Sequence, residues 1–241
     1  MSYAETARPA DTLSRIGILG GTFDPVHLGH LASGRHTAAA FDLDRVLLVL
    51  SARPPHKPDR RPATDKDRLA MLKLAAGNDP LFEVSDLEVR RSGPSYMIDT
   101  LHEFRAKEPN AELFLILGVD AYSIIDTWHK SGELLAQASI IVTTRPGEPG
   151  GQGPPQPPVA ARESCCYHPP IDGFTHSSGH TLRAHAIDGL EISASRVRAD
   201  AARSERQGLS KDARIEALTP LTGRAVAAYI VEQNLYTREE N

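Results

Sequence analysis

Cysteine is nearly absent from this chain of 241 residues: Cys165 and Cys166 are the only two, and they are adjacent. Neighbouring residues cannot staple distant parts of a fold, so a disulfide framework is excluded and a reducing setting is the simplest reading. No apolar run is long enough to cross a bilayer, and Met1 to Ser14 lacks the apolar core of a secretory signal. No membrane partner is expected, and a cytoplasmic location follows. Positive charge is not in excess either. With 27 Lys and Arg against 31 Asp and Glu, the formal net charge is -4. That leaves no basic field to gather a polynucleotide, while small nucleotides stay open. Aromatic residues amount to 5%, with Trp128 the single tryptophan.

What is present is ordinary for a globular protein. The hydrophobic share of 40% and charged share of 24% are typical, and this length buries one substantial core. The expected division is a flexible tail at 1–14 and a single domain at 15–241, with an irregular Pro/Gly-rich insertion at about 146–180.

One stretch organises the rest. Arg15 to Leu19 reads as a buried strand, Leu31 to Ala40 as a helix, and between them runs Gly20-Gly21-Thr22-Phe23-Asp24-Pro25-Val26-His27-Leu28-Gly29-His30. Paired glycines let the backbone approach a ligand, and the peptide N–H groups at a helix start favour an anion. His27 and His30 are three apart, so near a helix start both imidazoles lie on one side. A Gly-Gly turn or a histidine pair alone also fits a plain turn or a surface accident. Their combination between strand and helix favours an anion site.

Further along, Arg45 to Leu50 is a second apolar strand, and the loop after it carries Arg53, His56 and Lys57 to the carboxyl edge where open parallel sheets bind ligands. Thr64 starts a helix that Gly77 ends. Phe82-Glu83-Val84 and Leu87-Glu88-Val89 both alternate like short strands. Gly93 and Pro94 precede a helix with Ile98, Leu101 and Phe104 on one face; Ser95 suits its N-cap, and Tyr96 can stack on a ring. Glu112 to Leu117 is another strand. Gly118 and Asp120 follow it, where a carboxylate grips ribose hydroxyls or a metal-bound phosphate, or serves as a helix cap. Ser139 to Thr144 is a strand ending at Arg145.

From Pro146 to about His180 composition turns to Pro, Gly and Ser, predicting an irregular excursion. Its Cys165, Cys166, His168, His176 and His180 lack the spacing of a zinc knuckle, so no metal site is expected. After a last strand near Thr181 to Ile187, Ser193, Ser195 and Arg198 stand at a helix head, where hydroxyls and a guanidinium suit a polyphosphate. Pro220 to Tyr236 reads as one closing helix. Together the elements predict an α/β protein: a Rossmann-like doubly wound parallel sheet with a small C-terminal helical portion.

The glycine and histidine stretch, with Ile192-Ser193-Ala194-Ser195-Arg196-Val197-Arg198, resembles the nucleotidyltransferase superfamily that also holds the class I aminoacyl-tRNA synthetases. Pro54-Pro55-His56-Lys57, Gly93-Pro94-Ser95-Tyr96-Met97-Ile98-Asp99-Thr100-Leu101, Gly118-x-Asp120, Trp128 and Arg145-Pro146-Gly147 narrow the resemblance to bacterial nicotinate-nucleotide adenylyltransferases. That resemblance implies adenylyl transfer from ATP to nicotinate mononucleotide, with Mg2+ as cofactor. It implies no polynucleotide partner and allows a homo-oligomer. Carried over residue by residue, it gives ATP to Gly20, Gly21, His27, His30, Gly118, Asp120, Arg145, Ser193, Ser195 and Arg198. His27, His30 and Arg198 would be catalytic. The acceptor would fall to Thr22, Phe23, Lys57, Ser95, Tyr96, Met97 and Trp128.

The chain departs from the common pattern at Ala194, where a hydroxyl is usual, and at Met97, where Thr is usual. Alternatives are the same transfer to nicotinamide mononucleotide or phosphopantetheine, and a non-catalytic nucleotide or tRNA-binding module.

Overall fold

A computed structural model describes residues 13–53, 63–144, 153–187 and 191–237. In chain order its elements are β1 (Arg15–Gly21), α1 (Leu28–Ala40), β2 (Arg45–Leu50), α2 (Asp65–Ala76), β3 (Phe82–Ser85), α3 (Leu87–Arg90), α4 (Met97–Lys107), β4 (Glu112–Gly118), α5 (Val119–Ser123), α6 (Leu134–Gln137) and β5 (Ser139–Thr144). They continue through β6 (Cys165–His168), β7 (Gly173–His176), β8 (Thr181–Ala186), α7 (Ala194–Arg206), α8 (Lys211–Thr222) and α9 (Arg224–Glu232).

The strands form one sheet in the order β3-β2-β1-β4-β5-β8-β7-β6. The first six are parallel, and β7 and β6 join antiparallel to their neighbours. Central strands are apolar on both faces because helices cover both. In β4, Phe114 and Ile116 point to one face while Leu113, Leu115 and Leu117 point to the other. The first face packs α1, α2 and α7 to α9 through residues such as Leu31, Leu72, Val197 and Ile230. The second packs α4, α5 and α6 through Ile98, Leu101, Tyr122 and Leu134. The chain is therefore a doubly wound α/β protein whose last three helices make the C-terminal portion.

β1 pairs with β2 on one side and β4 on the other. Chain order reverses there, which opens a crevice beyond the carboxyl ends of β1 and β4. The glycine and histidine stretch leaves β1 at that crevice.

Three elements differ from the sequence reading. Leu87 to Arg90 is a helical turn, α3: the alternation of Leu87, Glu88 and Val89 arises because Glu88 turns inward to hydroxyl partners, not because the segment pairs with a strand. The excursion predicted at 146–180 carries β6 and β7, a hairpin that joins the sheet beyond β8, the next strand along the chain; its strands are only four residues each, too short for a proline- and glycine-rich composition to report. The single closing helix is two. Pro220 lies in the last turn of α8, and Gly223, at φ 80, breaks the chain before α9.

Candidate active site

A cavity of about 340 Å³ lies at the crevice, within the size range of small-ligand sites. Gly20, Gly21 and Thr22 from the end of β1 and Leu117 from β4 form its floor. Ser95, Tyr96 and Met97 enter from the start of α4. Asp120, Ala121, Ile124, Trp128 and His129 make the opposite wall. Gly20 is small for a reason: a Cβ there would sit 2.8 Å from Met97 Cε.

Tyr96 stacks on His129 with ring centroids 4.3 Å apart and planes 32° from parallel, so two π faces stand together at the cavity. Tyr96, not Ser95, is the N-cap of α4. The Ser95 hydroxyl instead accepts from the Arg53 N–H at 3.0 Å, and the Ser95 N–H donates to the Arg53 carbonyl. This two-way bond pins the start of the basic loop to the residue before α4's N-cap.

Beside the cavity, His27 is the N-cap of α1, which begins three residues earlier than its apolar pattern. The His27 N–H donates to His30 Nδ1 at 3.2 Å, and the two rings stack at 3.7 Å. With Nδ1 accepting, a neutral His30 carries its proton on Nε2 and presents a donor at that end. Phe23 bridges this pair to the floor: its ring meets His30 edge-on at 4.9 Å and lies over Gly21. Phe23 is buried, so only its backbone can face a ligand. Its φ of 46 is uncommon for a bulky side chain, a strain of the kind held at functional sites.

The head of α7 closes on the same place. Arg198 Nη1 donates to the Asp24 carbonyl at 2.8 Å, and Nη2 to Ser195 Oγ at 3.2 Å. Ser193 caps α7 by accepting from the Arg196 N–H. A Cβ on Gly29 would lie 3.0 Å from His27 Nδ1 and 3.6 Å from the Ile192 carbonyl, so the two motifs touch. The fold thus brings His27, His30, Ser195 and Arg198 together beside the cavity. Gly118 is the exposed N-cap of α5 and does not itself line the cavity, while Asp120 does. Lys57 and Arg145 fall outside the described residues, as do residues 1–12 and the prolines of the basic loop.

Several residues of the site receive no role in the sequence reading. Arg68 of α2 is wholly buried and donates to the carbonyls of Thr22 and Ser51, tying the ends of β1 and β2 together. Glu88 is 3% exposed, lines the cavity and accepts from Ser51 Oγ at 3.1 Å and Thr100 Oγ1 at 2.8 Å. Asp24 is 5% exposed and accepts from the Tyr236 hydroxyl at 2.6 Å. Burial pushes the Asp24 carboxyl up, against the opposing pull of that hydroxyl and of Arg68 and Arg198. Burial and the Asp24 charge push Tyr236 up in turn. Among the described residues no group of three or more His, Cys, Asp or Glu is placed to hold a metal ion.

Residues 18–200 match the cytidylyltransferase-like family. The chain is 39% identical over 225 residues to a probable nicotinate-nucleotide adenylyltransferase of Geobacter metallireducens, a match that covers 93% of this chain and 99% of that protein. It is 37% identical to the protein of the same name from Acidithiobacillus ferrooxidans, covering 75% and 82%. Among solved structures, the nicotinic acid mononucleotide adenylyltransferase of Plasmodium falciparum complexed with NaAD matches with a TM-score of 0.65 at 17% identity, covering 92% and 97%. That likeness speaks for the fold.

Proposed function

The chain belongs to the nicotinate-nucleotide adenylyltransferases within the cytidylyltransferase-like family, and from that premise we propose that it transfers the adenylyl group of ATP to nicotinate mononucleotide. The products are nicotinate adenine dinucleotide and pyrophosphate. An oxygen of the mononucleotide phosphate attacks the α-phosphorus of ATP, the new P–O bond forms, and the bond to the bridging oxygen breaks as pyrophosphate departs. A nucleotide monophosphate has its second pKa near about 6, so it is already largely dianionic at neutral pH and needs no general base. What the reaction demands is alignment and neutralisation of charge.

The observation that carries this reading is the juncture of two unlike halves. One is a cavity with stacked aromatic faces at the start of α4; the other is a cluster of cationic and N–H donors formed by His27, His30 and Arg198. A flat ring suits the first and a polyphosphate the second. In this reading His27 and His30 stabilise charge on the phosphates, Arg198 and Ser195 hold the polyphosphate from the α7 side, and Gly20 and Gly21 admit it to the backbone. Ser193, Gly118, Asp120 and Arg145 serve the nucleotide. Thr22, Phe23, Lys57, Ser95, Tyr96, Met97 and Trp128 serve the acceptor. Mg2+ is proposed as part of the co-substrate, carried on the triphosphate oxygens. Bacterial relatives and a biosynthetic reaction on ATP support a cytoplasmic location.

The test is pyrophosphate release from ATP with three acceptors: nicotinate mononucleotide, nicotinamide mononucleotide and phosphopantetheine. A clear preference for the first is expected. Equal rates on all three would overturn the choice of acceptor, and release with none would overturn the activity.

A further inference from the structure

The wall that carries Trp128 and His129 is weakly built. Between α5 and α6 the chain has only two 3₁₀ turns, Ile125–Thr127 and Ser131–Glu133, with Lys130 between them at φ 54. α5 and α6 are themselves five and four residues long. Segments this short do not hold a shape by their own hydrogen bonds. The wall must be positioned from outside.

The outside support comes from the segment that composition reads as an irregular excursion. The Tyr122 hydroxyl donates to the Gln156 carbonyl at 2.7 Å. The Val159 N–H donates to Asp126 Oδ1 at 2.7 Å. Gly132 packs so closely on Ala160 that a Cβ would lie 2.8 Å from the Ala160 Cβ. Ala161 is buried in the core beneath the same wall. These contacts bracket Trp128 on both sides in sequence, and each uses a different atom pair.

We propose that residues 153–164 are a buttress that fixes the Trp128 and His129 wall and thereby sets the affinity for the acceptor nucleotide. The part concerning the acceptor rests on the function proposed above. Asp126 and Tyr122 are positioning residues: neither lines the cavity with its own side chain, and both act through the wall.

Trp128 is the only tryptophan, so its emission reports on this wall alone. In Asp126→Ala we expect the emission of the ligand-free protein to move to longer wavelength. The KM for nicotinate mononucleotide should rise roughly fivefold, with kcat and the KM for ATP unchanged, as fits the loss of one charge-assisted hydrogen bond. Asp126→Asn keeps an acceptor oxygen for the Val159 N–H and should restore both readouts. Tyr122→Phe should shift them in the same direction as Asp126→Ala. Unchanged emission and acceptor KM in both Asp126→Ala and Tyr122→Phe would overturn the proposal, as would an equal rise in KM for both substrates. If no variant or parent releases pyrophosphate with nicotinate mononucleotide, the proposed function falls, while the emission comparison still decides whether the buttress exists.

Discussion

Tyr236→Phe removes one oxygen and keeps the shape of the ring. In the native structure that oxygen donates to Asp24 Oδ1 at 2.6 Å, with Tyr236 6% and Asp24 5% exposed. A hydrogen bond to a charged group contributes about 1.5 to 3 kcal/mol, and here the bereaved carboxylate is too buried to turn to water. We therefore expect a stability loss of about 2 kcal/mol at neutral pH, or a Tm lower by about 4 to 8 °C in a chain of this size.

The pH dependence makes the prediction specific. Burial holds the Asp24 pKa above its ordinary 3.8. The native state thus binds that proton more tightly than the unfolded chain, and stability falls as pH rises from 3.8 through the raised native value. The Tyr236 hydroxyl opposes this by stabilising the carboxylate, so without it the fall is larger and reaches to higher pH. The deficit of Tyr236→Phe should be small in acid, where the carboxyl is protonated in both proteins, and full above the raised pKa. Urea denaturation followed by circular dichroism between pH 8 and pH 4.5 measures it. Since the Asp24 carbonyl anchors Arg198, kcat should fall as well. A deficit independent of pH, or one that grows in acid, would refute the reasoning.

Two further outcomes follow from the site. His27→Ala should lower kcat by roughly 10² to 10³, the cost of removing one preorganised donor to transition-state charge. The backbone N–H bonded to His30 survives this change, but the buried ring and its stacking on His30 are lost, so stability should fall by about 1 to 3 kcal/mol; turnover near normal in the pyrophosphate assay would remove His27 from the mechanism. Gly20→Ala should cost less than about 1.5 kcal/mol in denaturation, because the new methyl meets only the movable end of Met97. It should raise the KM for the acceptor, since Met97 lines the cavity; an unchanged KM would mean that this side chain does not face the ring.

The local elements were largely legible. Arg45–Leu50, the helix from Thr64 to Gly77, the helix with Ile98, Leu101 and Phe104, and the strand at Ser139–Thr144 all stand where apolar periodicity places them, although the cap expected at Ser95 falls to Tyr96. The misreadings have different physical causes. Leu87–Arg90 alternates because Glu88 points to Ser51 and Thr100, outside its own segment. β6 and β7 are four-residue strands of a local hairpin, too short to show a pattern inside a proline- and glycine-rich stretch. Pro220, a residue suited to the first turn of a helix, instead stands in the last turn of α8, and Gly223, at φ 80, makes the actual break.

For the site, sequence by itself determined the chemistry available: the anion-friendly turn, the two histidines three apart, and the hydroxyls and guanidinium of Ser193 to Arg198. It could do so because strand, glycine turn and helix start are set by neighbours along the chain. Tertiary structure alone decided which groups meet. It brought Arg198 to the Asp24 carbonyl, buried Phe23 as a spacer, sank Arg68 under Thr22 and Ser51, and closed Tyr236 onto Asp24. It also turned a proline-rich stretch into support for Trp128. These pairings span the length of the chain, and their energy comes from burial and desolvation, quantities that exist only once the sheet and its two helical layers have formed.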